Sequence, residues 1–451
     1  MPIQTLTVFG PSYYLVAFDR DGRERADDPH GVGGSMSARV LDEATRLAPT
    51  DVFLLAHGWK GDVPGAVEQY DLWISAMLHL RADRDEFEQR PGGFRPVWVG
   101  LHWPSQPWGD EDLGGAEAPP YRRNAVAQAF RPALRQFVDT WADRLGDSPG
   151  IRAALEVIGR EAAQSQFRAD LSSTLRDAYS ALDAALGLGN GGLAAPPGDD
   201  RGAFDPDAAL AAEAEFAGRG VREGADILGP LRQLSFWTMK KRARVVGEGG
   251  MHALLRALQD AFTGQDVRIH LMGHSFGAIV TSAIVGGPGG NSPLPIPVRS
   301  LVLVQGAMSL WSFARRIPIA PERSGYFHRI VDHACVAGPI VATRSRHDTA
   351  LGRFYPIAAG VARDMTVGVD EYPRYGALGT FGARGLNVGV VDQSVLDAEG
   401  AYEFLPGTIH NLDASDVIRE GGGLSGAHSD IFDPEIAHAV WQAATGPAPQ
   451  G

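Results

Sequence analysis

A serine flanked by two glycines lies where a run of apolar residues gives way to a run of small ones. The stretch RIHLMGHSFGAIVTSAIV spans residues 268–285 and carries Ser275 between Gly273 and Gly277. The apolar run is typical of a buried strand, and the residues after it suit a helix. A tight strand-to-helix turn needs small residues two positions before and after its centre, because larger side chains would collide with the strand and the helix. Such a turn would present the Ser275 hydroxyl at the edge of a sheet, where a nucleophile can work.

A serine hydroxyl needs a general base, and the base needs a group that orients it. Asp348 lies in IVATRSRHDTALG, just past the apolar run 338–344. His428 lies in the glycine-rich stretch GLSGAHSD, directly before a predicted C-terminal helix. The chain order Ser275, Asp348, His428 is the order found with this serine turn on parallel sheets. Asp348 and His428 are therefore the candidate partners of Ser275.

Short apolar runs alternate with helical patterns along most of the chain. Near-continuous apolar runs, typical of strands buried on both faces of a parallel sheet, occur at 51–59, 95–104, 267–273, 298–306 and 338–344. A further run precedes a turn signal at 13–19. Helical patterns occupy 66–80, 251–263 and 276–285. This alternation predicts an open, mostly parallel sheet with helices on both faces.

The segment 105–249 interrupts the alternation, since no strand is evident in it. Apolar residues with helical spacing occur at 126–145 and again at 151–182. The stretch 187–206 is rich in Gly, Pro and Asp, which predicts a mobile loop. We therefore predict three regions, which are the first part of an α/β core at 1–104, a helical cap inserted before the nucleophile strand at 105–249, and the second part of the core at 250–446.

The serine turn GHSFG, the HGW stretch at 57–59 and the loops RSRHD and GAHSD resemble those of the α/β-hydrolase superfamily, of the serine esterase and lipase type. The resemblance covers the sheet core outside the insertion. It implies that Ser275 is the nucleophile and that His428 serves first as general base and then as general acid. It also implies that Asp348 orients His428 and stabilises its imidazolium.

The resemblance further assigns an oxyanion hole. In the superfamily, a His-Gly pair after the third strand lets the backbone pass close to the substrate, and the next residue contributes its amide. This pattern maps onto His57, Gly58 and Trp59, with Phe276 as the other amide donor. His57 is an alternative base, but the family pattern favours a structural role in which its side chain braces the loop. His274, inside the serine turn, is interpreted as a packed or backbone-bonded residue.

The predicted function is hydrolysis of carboxylic esters through an acyl-enzyme, with a small-molecule ester or lipid as substrate. A serine at position 275 excludes the branches of the superfamily that use an aspartate nucleophile. A lipase or phospholipase effector that uses the cap as a lid, a thioesterase, an amidase and an acyltransferase share the same triad and stay open as alternatives. A non-catalytic binding protein is disfavoured, because it has no need of all three residues.

The composition restricts the partners. A net charge of −13 and a pI of about 5.5 argue against nucleic acid and against anionic membranes. Neither a transmembrane segment nor a signal peptide is recognisable, so we expect a cytoplasmic protein, with leaderless export left open. No metal or other cofactor is expected, because HExxH, zinc-ligand spacing and the phosphate loop GxxxxGK[ST] are missing from the sequence.

Overall fold

Two compact units make up the chain. The computed structural model describes residues 3–6, 12–28, 30–59, 61–106, 130–164, 167–216, 225–354, 372–386, 389–421 and 426–446. The first unit comprises Met1–Ser105, Arg242–Gly352 and Gly376–Gly451. The second unit comprises Gln106–Lys241 and Arg353–Tyr375.

Nine strands of the described residues form one sheet, and two more form a separate pair. In chain order the strands are β1 (Ile3–Thr5), β2 (Ser12–Ala17), β3 (Asp51–Ala56), β4 (Pro96–His102), β5 (Phe167–Arg168), β6 (Ala225–Asp226), β7 (Arg268–His274), β8 (Ser300–Val304), β9 (Ile340–Arg344), β10 (Val390–Ser394) and β11 (Ile409–Asp413). The large sheet has the order β1-β2-β4-β3-β7-β8-β9-β11-β10. Only β1 is antiparallel to its neighbour, and the other eight strands are parallel.

Helices connect these strands. The α-helices of the described residues are α1 (Met36–Leu47), α2 (Val63–His79), α3 (Arg81–Glu88), α4 (Phe130–Leu145), α5 (Pro149–Gln164), α6 (Ser173–Leu186), α7 (Pro206–Phe216), α8 (Gly229–Val246), α9 (His252–Ala261), α10 (Gly277–Gly286), α11 (His328–Asp332), α12 (Leu378–Phe381) and α13 (Pro434–Thr445). Across the described ranges, no helix combines the length and the apolar composition of a membrane span.

The large sheet is covered on both faces. All positions of β3 are buried, as the apolar sequence DVFLLA requires. On one face, Phe53 and Leu55 of β3 share an apolar cluster with Trp73 of α2 and Trp441 of α13. On the other face, α10 packs against β3, β7 and β8, because right-handed crossovers in opposite directions along the sheet place α2 and α10 on opposite sides. The predicted α/β class, with a mostly parallel sheet, is confirmed.

The apolar pattern of the sequence does not predict the last two strands of the sheet, β10 and β11. Their polar residues interrupt the pattern by which buried strands are recognised, as in β11, which reads IHNLD. Asn411 of β11 is fully buried, and its Oδ1 accepts a hydrogen bond from the Ala383 amide at 2.8 Å. A buried polar side chain that is satisfied by tertiary partners breaks the apolar pattern without weakening the strand.

The second unit also differs from the prediction of a strand-free insertion. β5 and β6 form a short antiparallel pair in which Phe167 lies opposite Asp226. Helices α4, α5 and α6 pack against one another in succession. The predicted insertion ends at residue 249, whereas the first segment of the second unit ends at Lys241, within α8. A later segment, Arg353–Tyr375, also belongs to the second unit.

The stretch 187–206, predicted from its composition to be mobile, folds into a loop with specific contacts. The Gly191 amide donates to the Asp199 carbonyl at 2.9 Å, which closes a turn within the stretch. Lys240 of α8 has a fully buried side chain, and its Nζ lies 2.6 Å from Oδ2 of Asp200. A buried ammonium needs a counter-charge, so this ion pair holds the loop against α8. Composition alone indicated mobility because it does not reveal such a partner.

Candidate active site

The carboxyl ends of three neighbouring strands meet at one edge of the large sheet. Ala56, at the end of β3, pairs with Gly273 of β7, and His274 of β7 pairs with Val304 of β8. The residues that follow these strands therefore lie side by side. In open parallel sheets this edge is where ligands bind.

Ser275 occupies a strained turn directly after β7. Its φ is 55°, in the left-handed region that side chains other than glycine rarely adopt. Its amide donates to the Val304 carbonyl at 3.0 Å. A Cβ on Gly277 would lie 2.2 Å from the Ala56 oxygen, and a Cβ on Gly273 would lie 2.2 Å from the Gly277 oxygen. Both glycines are therefore required by close backbone contacts, for the reason that the sequence suggested.

A continuous chain of hydrogen bonds joins Ser275, His428 and Asp348. The Nε2 of His428 lies 2.8 Å from the Ser275 Oγ, and its Nδ1 lies 2.7 Å from Oδ2 of Asp348. The Asp348 side chain is fully buried, and its Oδ1 accepts from the Leu351 amide at 2.9 Å. Because a carboxylate only accepts, Nδ1 carries the imidazole proton, and Nε2 is free to accept the serine proton. The structure thus brings together the three residues that the sequence singled out.

The loops that carry Asp348 and His428 lie against each other. The Ala427 amide donates to the His347 carbonyl at 3.1 Å. Gly426 has a φ of 55°, and a Cβ there would lie 2.6 Å from the same carbonyl. Glycine is needed at this position because the backbones approach so closely. These contacts fix the residues next to the acid and next to the histidine relative to each other.

The loop after β3 passes directly beside Ser275. A Cβ on Gly58 would lie 2.9 Å from the Ser275 Cβ, so only glycine fits there without displacement. The ring of Trp59 lies 5.7 Å from the ring of Phe276, measured between centroids. Phe276 immediately precedes α10, so its amide is at the positive end of that helix. Both residues predicted as oxyanion donors are therefore adjacent to Ser275.

Side chains of neighbouring elements brace this loop through His57. The His57 amide donates to the Tyr70 hydroxyl at 2.9 Å, and Nε1 of Trp103 donates to the His57 carbonyl at 3.2 Å. Nδ1 of His57 donates to the Gly58 carbonyl at 2.9 Å, which leaves Nε2 to accept from Nδ1 of His102 at 3.1 Å. Burial lowers the pKa of His57 to about 3 and that of His102 to about 4. Both rings are neutral, and both nitrogens of His57 are used in supporting the loop.

His274 contacts the loop of His428, which the sequence could not reveal. Its Nε2 donates to the His428 carbonyl at 2.9 Å. The interpretation of His274 as packed or backbone-bonded is correct in kind, but no sequence signal identifies a carbonyl so distant along the chain as the acceptor. The residue is only 6% exposed.

A second set of Ser, His and Asp lies near the amino-terminal ends of the same strands, away from Ser275. Ser300 Oγ is 2.9 Å from Nδ1 of His270, and Nε2 of His270 is 3.1 Å from Asp51 Oδ1. Although burial acts to raise the pKa of Asp51, hydrogen bonds from His270, Arg268 and Thr50 lower it to about 2. All three members are buried, and Ser300 begins a regular strand. This set joins the amino-terminal parts of β3, β7 and β8, and Ser300 lies in a strand and lacks the left-handed turn geometry of Ser275.

Within the described ranges, no group of three or more His, Cys, Asp or Glu side chains is arranged to hold a metal ion. Comparisons of the chain with protein-family models, with curated proteins and with solved structures found no match.

Proposed function

We propose that this protein is a serine hydrolase of the α/β-hydrolase type that cleaves carboxylic esters through an acyl-enzyme. The observation that carries the proposal is the hydrogen-bonded chain from Ser275 Oγ through His428 to Asp348, with distances of 2.8 and 2.7 Å. Both distances lie in the hydrogen-bond range expected between a nucleophile and its base and between the base and the acid that orients it. The position of Ser275 in a strained turn between β7 and α10 supports the same role.

The protonation state of His428 determines the first step. Its Nδ1 proton is held by the buried Asp348 carboxylate, so Nε2 accepts the Ser275 proton as Oγ attacks the ester carbonyl carbon. The C=O π bond breaks, and its electron pair moves to the carbonyl oxygen. As the tetrahedral intermediate collapses, the bond to the alkoxy leaving group breaks, and Nε2 gives its proton to that oxygen. The product of this half-reaction is an alcohol and an acyl ester on Ser275.

Water completes the cycle. His428 Nε2 takes a proton from a water molecule, whose oxygen attacks the acyl carbon of the ester on Ser275. Collapse of the second tetrahedral intermediate breaks the bond to Oγ, and Nε2 returns the proton to Ser275. The carboxylic acid leaves, and the enzyme is restored. Throughout, the negative charge of Asp348 stabilises the imidazolium that forms transiently on His428.

The oxyanion is assigned to the amides of Phe276 and Trp59. Phe276 follows the nucleophile at the start of α10, where the helix dipole favours negative charge. Trp59 follows Gly58, whose missing side chain lets the loop lie against Ser275. His57 supports this loop and is not the base, because its Nδ1 and Nε2 are engaged by Gly58 and His102.

Active-site labelling tests the proposal. We expect a fluorophosphonate to label the folded protein at Ser275, as located by mass spectrometry, and a panel of p-nitrophenyl esters of increasing chain length to be hydrolysed. Ser275→Ala should lose labelling and about 10⁴- to 10⁶-fold in kcat. Ser300→Ala is the matched control, because it removes the hydroxyl of the buried set at the other edge and should leave labelling and turnover intact.

The outcomes separate the alternatives. No labelling of folded protein, with no turnover of any ester, would favour a binding protein that keeps the fold. Turnover that survives Ser275→Ala would move the nucleophile to another residue. Labelling of Ser275 without hydrolysis of oxygen esters would direct the search to thioesters, amides or acyl transfer, which use the same three residues.

A further inference from the structure

The His274 side chain lies among the nucleophile, the base and the loop of Gly58. Its ring centroid is 4.9 Å from that of His428, and a Cβ on Gly58 would lie 3.0 Å from its Nδ1. Its own backbone is joined directly to Ser275. One buried ring therefore touches the three segments whose relative positions the proposed reaction depends on.

The hydrogen bonding of His274 defines its protonation state. The His428 carbonyl only accepts, so the His274 Nε2, 2.9 Å away, carries the ring proton. Burial, followed by the nearness of His428, lowers the pKa of His274 to about 3. Among the described residues, its Nδ1 has no hydrogen-bond partner. His274 is therefore a neutral donor that adds no charge beside the imidazolium of His428.

Hydrogen bonds from two sides hold the segment that carries His428. On the acid side, the Ala427 amide is bonded to the His347 carbonyl at 3.1 Å. On the nucleophile side, His274 holds the carbonyl of His428 itself. The His428 ring is anchored at Nδ1 by Asp348 at 2.7 Å. The bond from His274 reaches the main chain of residue 428 itself, whereas the other bonds of this segment hold its neighbours, as in the turn where the Asp430 amide donates to the Ala427 carbonyl at 3.1 Å.

We propose that His274 is a positioning residue, which holds the His428 main chain so that the imidazole stays within hydrogen-bond reach of Ser275 Oγ. The proposal rests on the proposed function, in which His428 is the base for Ser275. A base displaced by about 1 Å typically loses on the order of 100-fold in rate, because proton transfer needs short, aligned hydrogen bonds. His274 acts through His428 and does not touch the substrate's reacting atoms.

Two substitutions separate the donor from the volume of the ring. His274→Phe keeps an aromatic ring but removes the donor, and we expect kcat for p-nitrophenyl butyrate to fall about 10- to 100-fold with KM changed less than about twofold. His274→Gln carries an amide N–H near the position of Nε2, and we expect its kcat to stay within about threefold of the wild type. Rescue by Gln and not by Phe identifies the hydrogen bond as the cause.

His252 provides a matched control. It is also buried, and its Nδ1 donates to the Ile284 carbonyl at 2.7 Å, away from Ser275. His252→Phe therefore removes the same kind of bond, and we expect it to lower the unfolding midpoint while kcat stays unchanged. If His252→Phe lowers kcat as much as His274→Phe does, loss of stability explains both results and the positioning role is refuted.

Crystal structures of the two His274 variants provide a readout that does not depend on activity. We expect the His428 Nε2 to Ser275 Oγ distance to exceed about 3.5 Å in His274→Phe and to stay near its present 2.8 Å in His274→Gln. An unchanged distance in the Phe variant would overturn the positioning role. If the wild type hydrolyses no ester but the distance changes as expected, the proposed function fails while the positioning role stands.

Discussion

The left-handed backbone of Ser275 predicts that a glycine at this position is more stable than an alanine. At a φ of 55°, an L-residue is disfavoured by about 1–2 kcal/mol, whereas glycine adopts this conformation freely. Ser275→Ala and Ser275→Gly both remove the hydroxyl, so both should be inactive. The difference in unfolding free energy between these two variants therefore reports the strain of the turn and not the loss of the nucleophile.

The magnitude follows from two opposing effects. Glycine relieves the strain, but it also makes the unfolded chain more flexible, which lowers stability by about 0.4–1 kcal/mol relative to alanine. We therefore expect Ser275→Gly to be more stable than Ser275→Ala by about 0.5 kcal/mol. Ser282 is the matched control, because it is buried within α10. There the glycine variant should be less stable than the alanine variant by about 1 kcal/mol.

Urea unfolding of the four variants in one buffer measures both differences. The Gly-minus-Ala difference should change sign between the two sites, a separation of about 1.5 kcal/mol. If glycine destabilises by the same amount at 275 as at 282, Ser275 does not store backbone strain, and the strained turn no longer supports its role as the nucleophile.

Three further changes test other parts of the structure. Asp348→Asn should lower kcat/KM for p-nitrophenyl esters by about 10⁴-fold, because the amide no longer holds the required tautomer of His428, and near-normal turnover would assign the orienting role elsewhere. Asp200→Ala removes the carboxylate paired with the buried Lys240, so urea unfolding should show that the free energy of unfolding falls by about 3–5 kcal/mol. Limited proteolysis of this variant should begin in the loop at 187–206, and an unchanged cleavage pattern would contradict the anchoring of the loop by Lys240. Burial acts to lower the pKa of His438, but its hydrogen bond to Asp83 raises that pKa above the ordinary value of 6.5. The stability that His438→Gln removes should therefore be greatest below pH 6.5 and should shrink as the pH rises through the folded-state pKa. A loss of stability that is independent of pH would refute the charged pair.

Local patterns in the sequence were sufficient for the elements that build the site. The apolar runs at β3, β7 and β8 and the glycines around Ser275 are short-range signals, because strand burial and a tight turn constrain residues close together in the chain. The candidate acid and histidine, Asp348 and His428, were found in the same way, from their places after a strand and before a helix. The α/β class follows from the same alternation.

Other features depend on contacts between residues far apart in the chain, and only the tertiary structure revealed them. β11 escaped detection because Asn411 is satisfied by Ala383 from another segment, and the loop at 187–206 is ordered by Lys240. The donor role of His274 likewise exists only because folding brings the His428 carbonyl to it. A polar residue carries the same letter whether it is solvated or satisfied by a distant partner, and its environment follows from which segments pack together. The sequence by itself therefore determined the fold class and the candidate chemistry, and the tertiary structure decided which polar groups meet.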